Sequence, residues 1–126
     1  DDVVQIIAGS SAVLGHIWTV FAGFRGGKGV GTAAGMLFSI YPLSGAVCLI
    51  VFLLTLFISR FVSLSSILAA ISFPIATVFL KSYQQYSTAL FAFACLMAIL
   101  IVFTHRSNIK RLLKGEEKKI GKRDRT

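Results

Sequence analysis

Residues 43–80 read LSGAVCLIVFLLTLFISRFVSLSSILAAISFPIATVFL, and Arg60 is the one charged residue among them. It divides the stretch into two uncharged runs, 43–59 and 61–80, of 17 and 20 residues. A helix needs about 20 apolar residues to cross the hydrocarbon core of a bilayer, so each run can span. Working outward, residues 82–104 form a third uncharged run of 23, and residues 3–24 form another behind two leading aspartates. The chain of 126 residues is 56% hydrophobic with a mean hydropathy of +0.80, far more apolar than a soluble domain of this length needs. The composition predicts an all-α, polytopic transmembrane helix bundle. No cleavable signal accounts for the runs, because there are several and no basic start precedes them. The first residue is Asp1 rather than methionine, and we expect further sequence upstream.

The charges set the topology. From His105 onward there are nine lysines and arginines against Glu116, Glu117 and Asp124, within a total net charge of +8. The positive-inside rule makes residues 107–126 a basic cytoplasmic tail resting on anionic headgroups, with residues 1–106 as the bundle. The tail has no aromatic residue to interleave with bases, which argues against a nucleic-acid partner. Placing Arg25, Lys28, Arg60 and the tail on one face requires an even number of crossings between residue 32 and His105. Only three long runs lie there. The remaining crossing falls to residues 32–41, about 15 Å long as a helix and stopped by Pro42. We expect about five membrane helices in all, that one short or broken and shielded by its neighbours. Pro74 should kink its helix or open a cavity. Small residues such as Gly9, Gly15, Gly35, Gly45 and Ser72 favour close helix contacts. Cys48 and Cys95 lie inside runs, too isolated for a metal set, and read as small apolar fillers.

Between the first two runs lies GFRGGKGVGTAAG, residues 23–35. Glycines let consecutive backbone N–H groups turn inward into an anion-binding nest, Lys28 adds a full charge, and a helix starting near Val30 to Thr32 points its positive end there. It is no Walker A loop, since Ala22 and Gly29 stand where glycine and Ser/Thr belong. Nor is it a dinucleotide fingerprint, since Thr32 stands at the third glycine and no strand precedes it. Without a ligand, the loop is a turn with interfacial cations.

Two further constellations fall on the same face. His105-Arg106-Ser107-Asn108 follows the last run, and a continuing helix would put His105 and Asn108 on one side, able to orient or deprotonate a hydroxyl while Arg106 or Arg111 meets phosphate. A lone interfacial histidine also serves as a plain boundary residue. Arg60-Phe61-Val62-Ser63-Leu64-Ser65-Ser66 offers an interface anchor and serines that donate to an oxyanion or cap the next helix. His16, at membrane depth beside Gly15, reads as a structural residue with an interhelical hydrogen bond.

Gly15-His16, FRGGKGVGTAAG, RFVSLSSI and HRSNIKRLLKGEEKKI, in this order and spacing from residue 15 to 120, resemble the bacterial membrane acyltransferases that acylate glycerol 3-phosphate from acyl phosphate. The resemblance implies a multi-pass inner-membrane enzyme, with site and C-terminus facing the cytoplasm, that makes lysophosphatidic acid for phospholipid synthesis. Matched residue by residue, Gly26, Gly27, Lys28, Gly29, Val30, Gly31 and Thr32 fall on the family's phosphate-binding loop. His105 and Asn108 fall on its essential C-terminal pair, with Lys28 as the third catalytic group. Arg60, Ser63 and Ser65 fall on its third-loop pattern, which we also assign to phosphate. Gly115 and Glu117 fall on a Gly-x-Glu element that supports structure. Thr19 stands where proline is usual and Gly31 where alanine is common, beside the site rather than at its polar atoms. The family's N-terminal Ser-Gly-Asn-rich loop, with its following arginine, is not among residues 1–126.

The implied partners are acyl phosphate, glycerol 3-phosphate and membrane lipids. Phosphate leaves an acyl phosphate readily, so the protein has mainly to hold two anions in line, and neither cofactor nor metal is required. The acyl chain is expected in an apolar groove among the helices. Whether His105 or substrate phosphate removes the hydroxyl proton stays open. The His-x4-Asp acyltransferase motif is missing, since Phe21 and Lys110 stand at its acidic position. A rival reading, a segment of an anion or organophosphate transporter, draws on the short helix, a device transporters also use. A noncatalytic scaffold leaves Lys28 and His105 without a purpose.

Overall fold

The computed structural model describes residues 1–17 and 30–121. Within them the chain is helical without strands: α1 (Asp2–Ile17), α2 (Val30–Ile40), α3 (Pro42–Ser59), α4 (Val62–Phe79), α5 (Thr88–Thr104) and α6 (Arg106–Lys114). Several boundaries have a local cause. Pro42 opens α3, where its missing N–H costs no helical bond. Arg60 closes it in the left-handed region, φ 63, with its N–H on the Leu56 carbonyl at 2.8 Å. Ser87 caps α5, its Oγ accepting from the Leu90 N–H. Gly115, φ 72, ends α6 as glycine readily does. Pro74 lies inside α4, which is helical from Val62 to Phe79 without a break.

The helices run alternately up and down. Asp2, at the start of α1, meets Ser87, at the start of α5, through a side-chain hydrogen bond. The turn between α2 and α3 lies at that same end, because the Tyr41 hydroxyl donates to the Ser87 carbonyl at 3.2 Å. Val30, Arg60 and His105 therefore fall at the opposite end. α3 and α4 form the most extensive pair, α5 packs on α4, and α2 packs on α3, α1 and α5. Glycine makes two of these approaches possible. A Cβ at Gly45 would lie 2.5 Å from Phe38 Cδ2, and one at Gly9 would overlap Met36 Sδ. Gly15 and Gly35 instead face open space.

The interior is built from Val13, Leu37, Tyr41, Phe73, Phe93 and Met97. Phe57 is 87% exposed and Ile58 80%, surfaces that suit lipid rather than water. A buried polar layer closes the end away from His105. Thr77 Oγ1 donates to Ser44 Oγ at 3.0 Å, and Gln84 Nε2 reaches the same oxygen at 2.6 Å.

The expected membrane bundle is present, but five spans are not found among the described residues. By length and composition, α3 and α4 can cross a membrane, and α5 with α6 makes a third only if the bent pair is counted as one. The shortfall is one of helix length. Of the run 82–104, only Thr88–Thr104 is helical, because residues 80–83 form a turn and residues 85–87 are irregular. α2 has 11 residues, about 16 Å, and is the short helix the charge distribution required. α1 is described over 16 residues, to the edge of the described segment. The helix does not continue straight across His105, since α6 turns 52° away from α5 there.

Candidate active site at the His105 end

The bend at His105 is built locally. The backbone N–H of His105 bonds to the Ile101 carbonyl at 3.2 Å, and the ring Nδ1 meets the same oxygen at 2.8 Å. A carbonyl only accepts, so Nδ1 carries a proton here. His105 is 3% exposed, so this ring is held inside the bundle rather than standing at an open boundary. Arg106, one residue on, turns outward: its Nη1 donates to the Phe103 carbonyl, and its guanidinium lies 4.4 Å from the Phe103 ring centroid.

One turn along α6, Asn108 is 7% exposed and points its amide at Glu117. Glu117 is the hub of this end. Its Oε1 accepts from Asn108 Nδ2 at 2.6 Å and from Ser63 Oγ at 2.8 Å, and its Oε2 accepts from Arg111 Nε at 2.7 Å. The carboxylate identifies the nitrogen side of the Asn108 amide, because only N–H can donate to it. The other side, Oδ1, is buried without a hydrogen-bond partner. Burial raises the Glu117 pKa. The bonds from Asn108, Arg111 and Ser63, with the charge of Arg111, outweigh that and hold it below the ordinary carboxylate value.

The turn between α3 and α4 supplies the remaining groups. Ser65 is fully buried and donates to the Phe61 carbonyl at 2.7 Å, and Ser66 donates to Val62. The cap expected from these serines is not formed, since Phe61 holds that position without a side-chain bond. Arg60 Nη2 donates to the Ile120 carbonyl at 2.7 Å. All three third-loop donors assigned to phosphate, Arg60, Ser63 and Ser65, thus have protein acceptors.

Gly26, Gly27, Lys28 and Gly29 lie outside the described residues. Val30, Gly31 and Thr32 form the first turn of α2 at the His105 end, and a Cβ at Gly31 would meet nothing. His16 is exposed in the last turn of α1, with no hydrogen-bond partner among the described residues, so its expected interhelical bond is not found there. An apolar cavity of about 280 Å³ runs down from this end between α2, α3, α4 and α5. Val30, Ser66 and Ile101 line its upper part, Leu37, Gly45 and Phe73 its lower. No cluster of metal-ligating side chains occurs among the described residues.

The family resemblance marked His105 and Asn108, and Gly115 with Glu117 as structural support, but not which groups Glu117 ties together. Residues 107–126 were otherwise expected to form a basic tail. Yet α6 packs on α4 and α5, and residues 117–120 make contacts back to the α3–α4 turn. Gly115, a glycine just past a helical stretch, was the available signal for that return.

Comparison with known proteins gives a consistent result. A sequence profile described as glycerol-3-phosphate acyltransferase matches residues 2–115. A protein of that name from Chlorobium phaeobacteroides (strain BS1) is 44% identical over 140 residues, covering 93% of this chain and 59% of its own length. One from Salinibacter ruber is 50% identical over 121 residues, covering 94% of this chain and 52% of its own. The chain thus spans little more than half the length of these relatives. Two crystal structures of PlsY (YgiH), described as an integral membrane glycerol 3-phosphate acyltransferase, superpose with TM-score 0.81 at 40% identity. One is the glycerol 3-phosphate form and the other the lysophosphatidic acid form; this chain covers 56% and 57% of them, with 92% of itself matched. This membrane protein belongs to the glycerol-3-phosphate acyltransferase family.

Proposed function

We propose that the protein of which this chain is part transfers a fatty acyl group from acyl phosphate to the 1-hydroxyl of glycerol 3-phosphate, giving lysophosphatidic acid. The observation that carries the reading is Asn108: a buried amide fixed through its nitrogen to Glu117, with an unpartnered acceptor oxygen one turn from His105. In an apolar setting an unpaired acceptor is costly, and a substrate hydroxyl or a bound water would relieve it.

In the proposed reaction the glycerol hydroxyl donates to Asn108 Oδ1 or His105 Nε2, and its oxygen attacks the acyl carbon. The bond from that carbon to the phosphate oxygen breaks. The hydroxyl proton ends on the released phosphate, whichever group carries it first, so the ester and inorganic phosphate are the balanced products. The 26–32 loop, with Lys28 and the N-terminus of α2, clamps phosphate and offsets the repulsion between two anionic substrates. The cavity below Val30 takes the part of the acyl chain nearest the reacting carbon. Ser63 and Ser65, whose hydroxyls donate within the protein, and Arg60, whose Nη2 donates to Ile120, frame the site in this reading. The positive-inside rule supports a cytoplasmic position for this end, and the resemblance to the family supports the inner membrane.

The test uses the full-length protein in vesicles with labelled glycerol 3-phosphate and acyl phosphate. Wild type should release labelled lysophosphatidic acid, and Lys28→Ala and His105→Ala should each lose most of that rate with membrane insertion intact. Full activity in both variants, or uptake of label without a new lipid, would sink the reading.

A further inference from the structure

Residues 117–121 run antiparallel along the turn that joins α3 to α4. Glu117 accepts from Ser63, Lys119 Nζ sits 5.2 Å from the Phe61 ring centroid, and the Ile120 N–H donates to the Arg60 carbonyl at 2.8 Å. Each step forward along the segment is a step back along the turn. The far end is locked twice, because Arg60 Nη2 also donates to the Ile120 carbonyl at 2.7 Å.

Two unusual backbone positions make this lock. Arg60 is the one non-glycine residue with positive φ among the described residues, an uncommon state for a side-chain-bearing residue. It tightens the end of α3 and turns the Arg60 carbonyl toward Ile120. Gly121 has φ 77, and a Cβ there would lie 2.6 Å from Arg60 Nη2. Glycine suits residue 121 by its conformation, and a side chain there would push the Arg60 guanidinium off its place beside Ile120.

We propose that residues 117–121 are a strap and that Arg60 is a positioning residue for Asn108. The guanidinium holds the end of the strap, the strap holds the Glu117 carboxylate, and Glu117 holds Asn108 Nδ2 so that Oδ1 stays turned to substrate. The proposal rests on the reading of Asn108 given above. It differs from a direct phosphate contact by Arg60 in which kinetic constant should move. Misorienting a hydroxyl acceptor lowers kcat, whereas removing a phosphate ligand weakens binding and raises KM for glycerol 3-phosphate.

The experiment compares full-length wild type with Arg60→Ala, Arg60→Lys, Gly121→Val and the Arg60→Ala/Gly121→Val double variant. It measures kcat, KM for glycerol 3-phosphate, and amide hydrogen exchange across residues 116–121. Arg60→Ala and Gly121→Val should each unprotect the Ile120 amide and lower kcat roughly fivefold, the loss of about one hydrogen bond's worth of positioning, with KM little changed. The double variant should be no worse than either single one, since both break the same lock. Arg60→Lys, which keeps a donor for the Ile120 carbonyl, should recover part of the rate. A large rise in KM for Arg60→Ala, with Ile120 still protected and Gly121→Val at wild-type rates, would overturn the strap. If wild type makes no lysophosphatidic acid, the acyl-transfer reading fails, and the exchange data alone decide whether Arg60 locks residues 117–121.

Discussion

Replacing Glu117 by alanine removes one acceptor from three donors, and the structure says which of them will matter. Ser63 is 6% exposed and Asn108 7%, so water cannot replace the lost carboxylate for either without opening the bundle. Arg111 has 44% of its side chain exposed, and solvent takes over its charge at little cost. A buried polar group left unpaired costs about 1–3 kcal/mol. The two share one partner and relax together, so their costs do not add fully, and we expect a loss of about 3 kcal/mol. Glutamine separates acceptor from charge. Both buried donors use Oε1, which glutamine keeps, so Glu117→Gln should lose only about 1 kcal/mol, mostly through the weaker neutral acceptor and the donor now facing Arg111. Reversible unfolding in mixed micelles, followed by circular dichroism, measures both. An alanine variant within about 0.5 kcal/mol of wild type, or a glutamine variant as damaged as alanine, would refute the hub.

The same group gives a pH dependence of defined sign. Because the folded pKa of Glu117 lies below the ordinary value of 4.5, its contribution is fully present above that value and is lost as pH falls through the folded pKa. Glu117→Gln should therefore remove part of the acid-side loss of stability while leaving the neutral-pH slope alone. Gly115→Ala puts a Cβ on a residue at φ 72 and should cost about 1 kcal/mol by the same unfolding assay, through strain alone because nothing lies within 4 Å. Gly45→Val should cost more, about 1–3 kcal/mol, since its Cβ meets the Phe38 ring at 2.5 Å and the Phe38 Cα at 3.1 Å.

Absence of charge located α3 and α4 to within a residue or two, because in lipid an apolar run between a proline and an arginine has few alternatives to a helix. The same criterion overextended α5. Residues 82–87 carry no charge, yet Gln84 bonds to Ser44, a partner 40 residues away that hydropathy cannot reveal. The short α2 was legible because topology demanded it before any propensity did. At the candidate site, residue types were readable and their geometry was not. A continuing helix would have put His105 and Asn108 on one side, whereas the chain bends between α5 and α6 and buries both. Arg60 and the serines, read as donors for a ligand, find acceptors in Phe61, one turn before Ser65, and in Glu117 and Ile120, whose proximity depends on the segment after Gly115 folding back.

In the proposed reaction Asn108 presents a fixed acceptor to the substrate hydroxyl. The most direct test is the single-turnover rate of lysophosphatidic acid formation by full-length Asn108→Ala, reconstituted in vesicles at saturating glycerol 3-phosphate and acyl phosphate. Loss of one preorganised polar group at a reacting centre should lower that rate about 100-fold or more, with the protein still folded and inserted. A rate within a few-fold of wild type would contradict the account, because the buried Oδ1 would then have no part in the reaction.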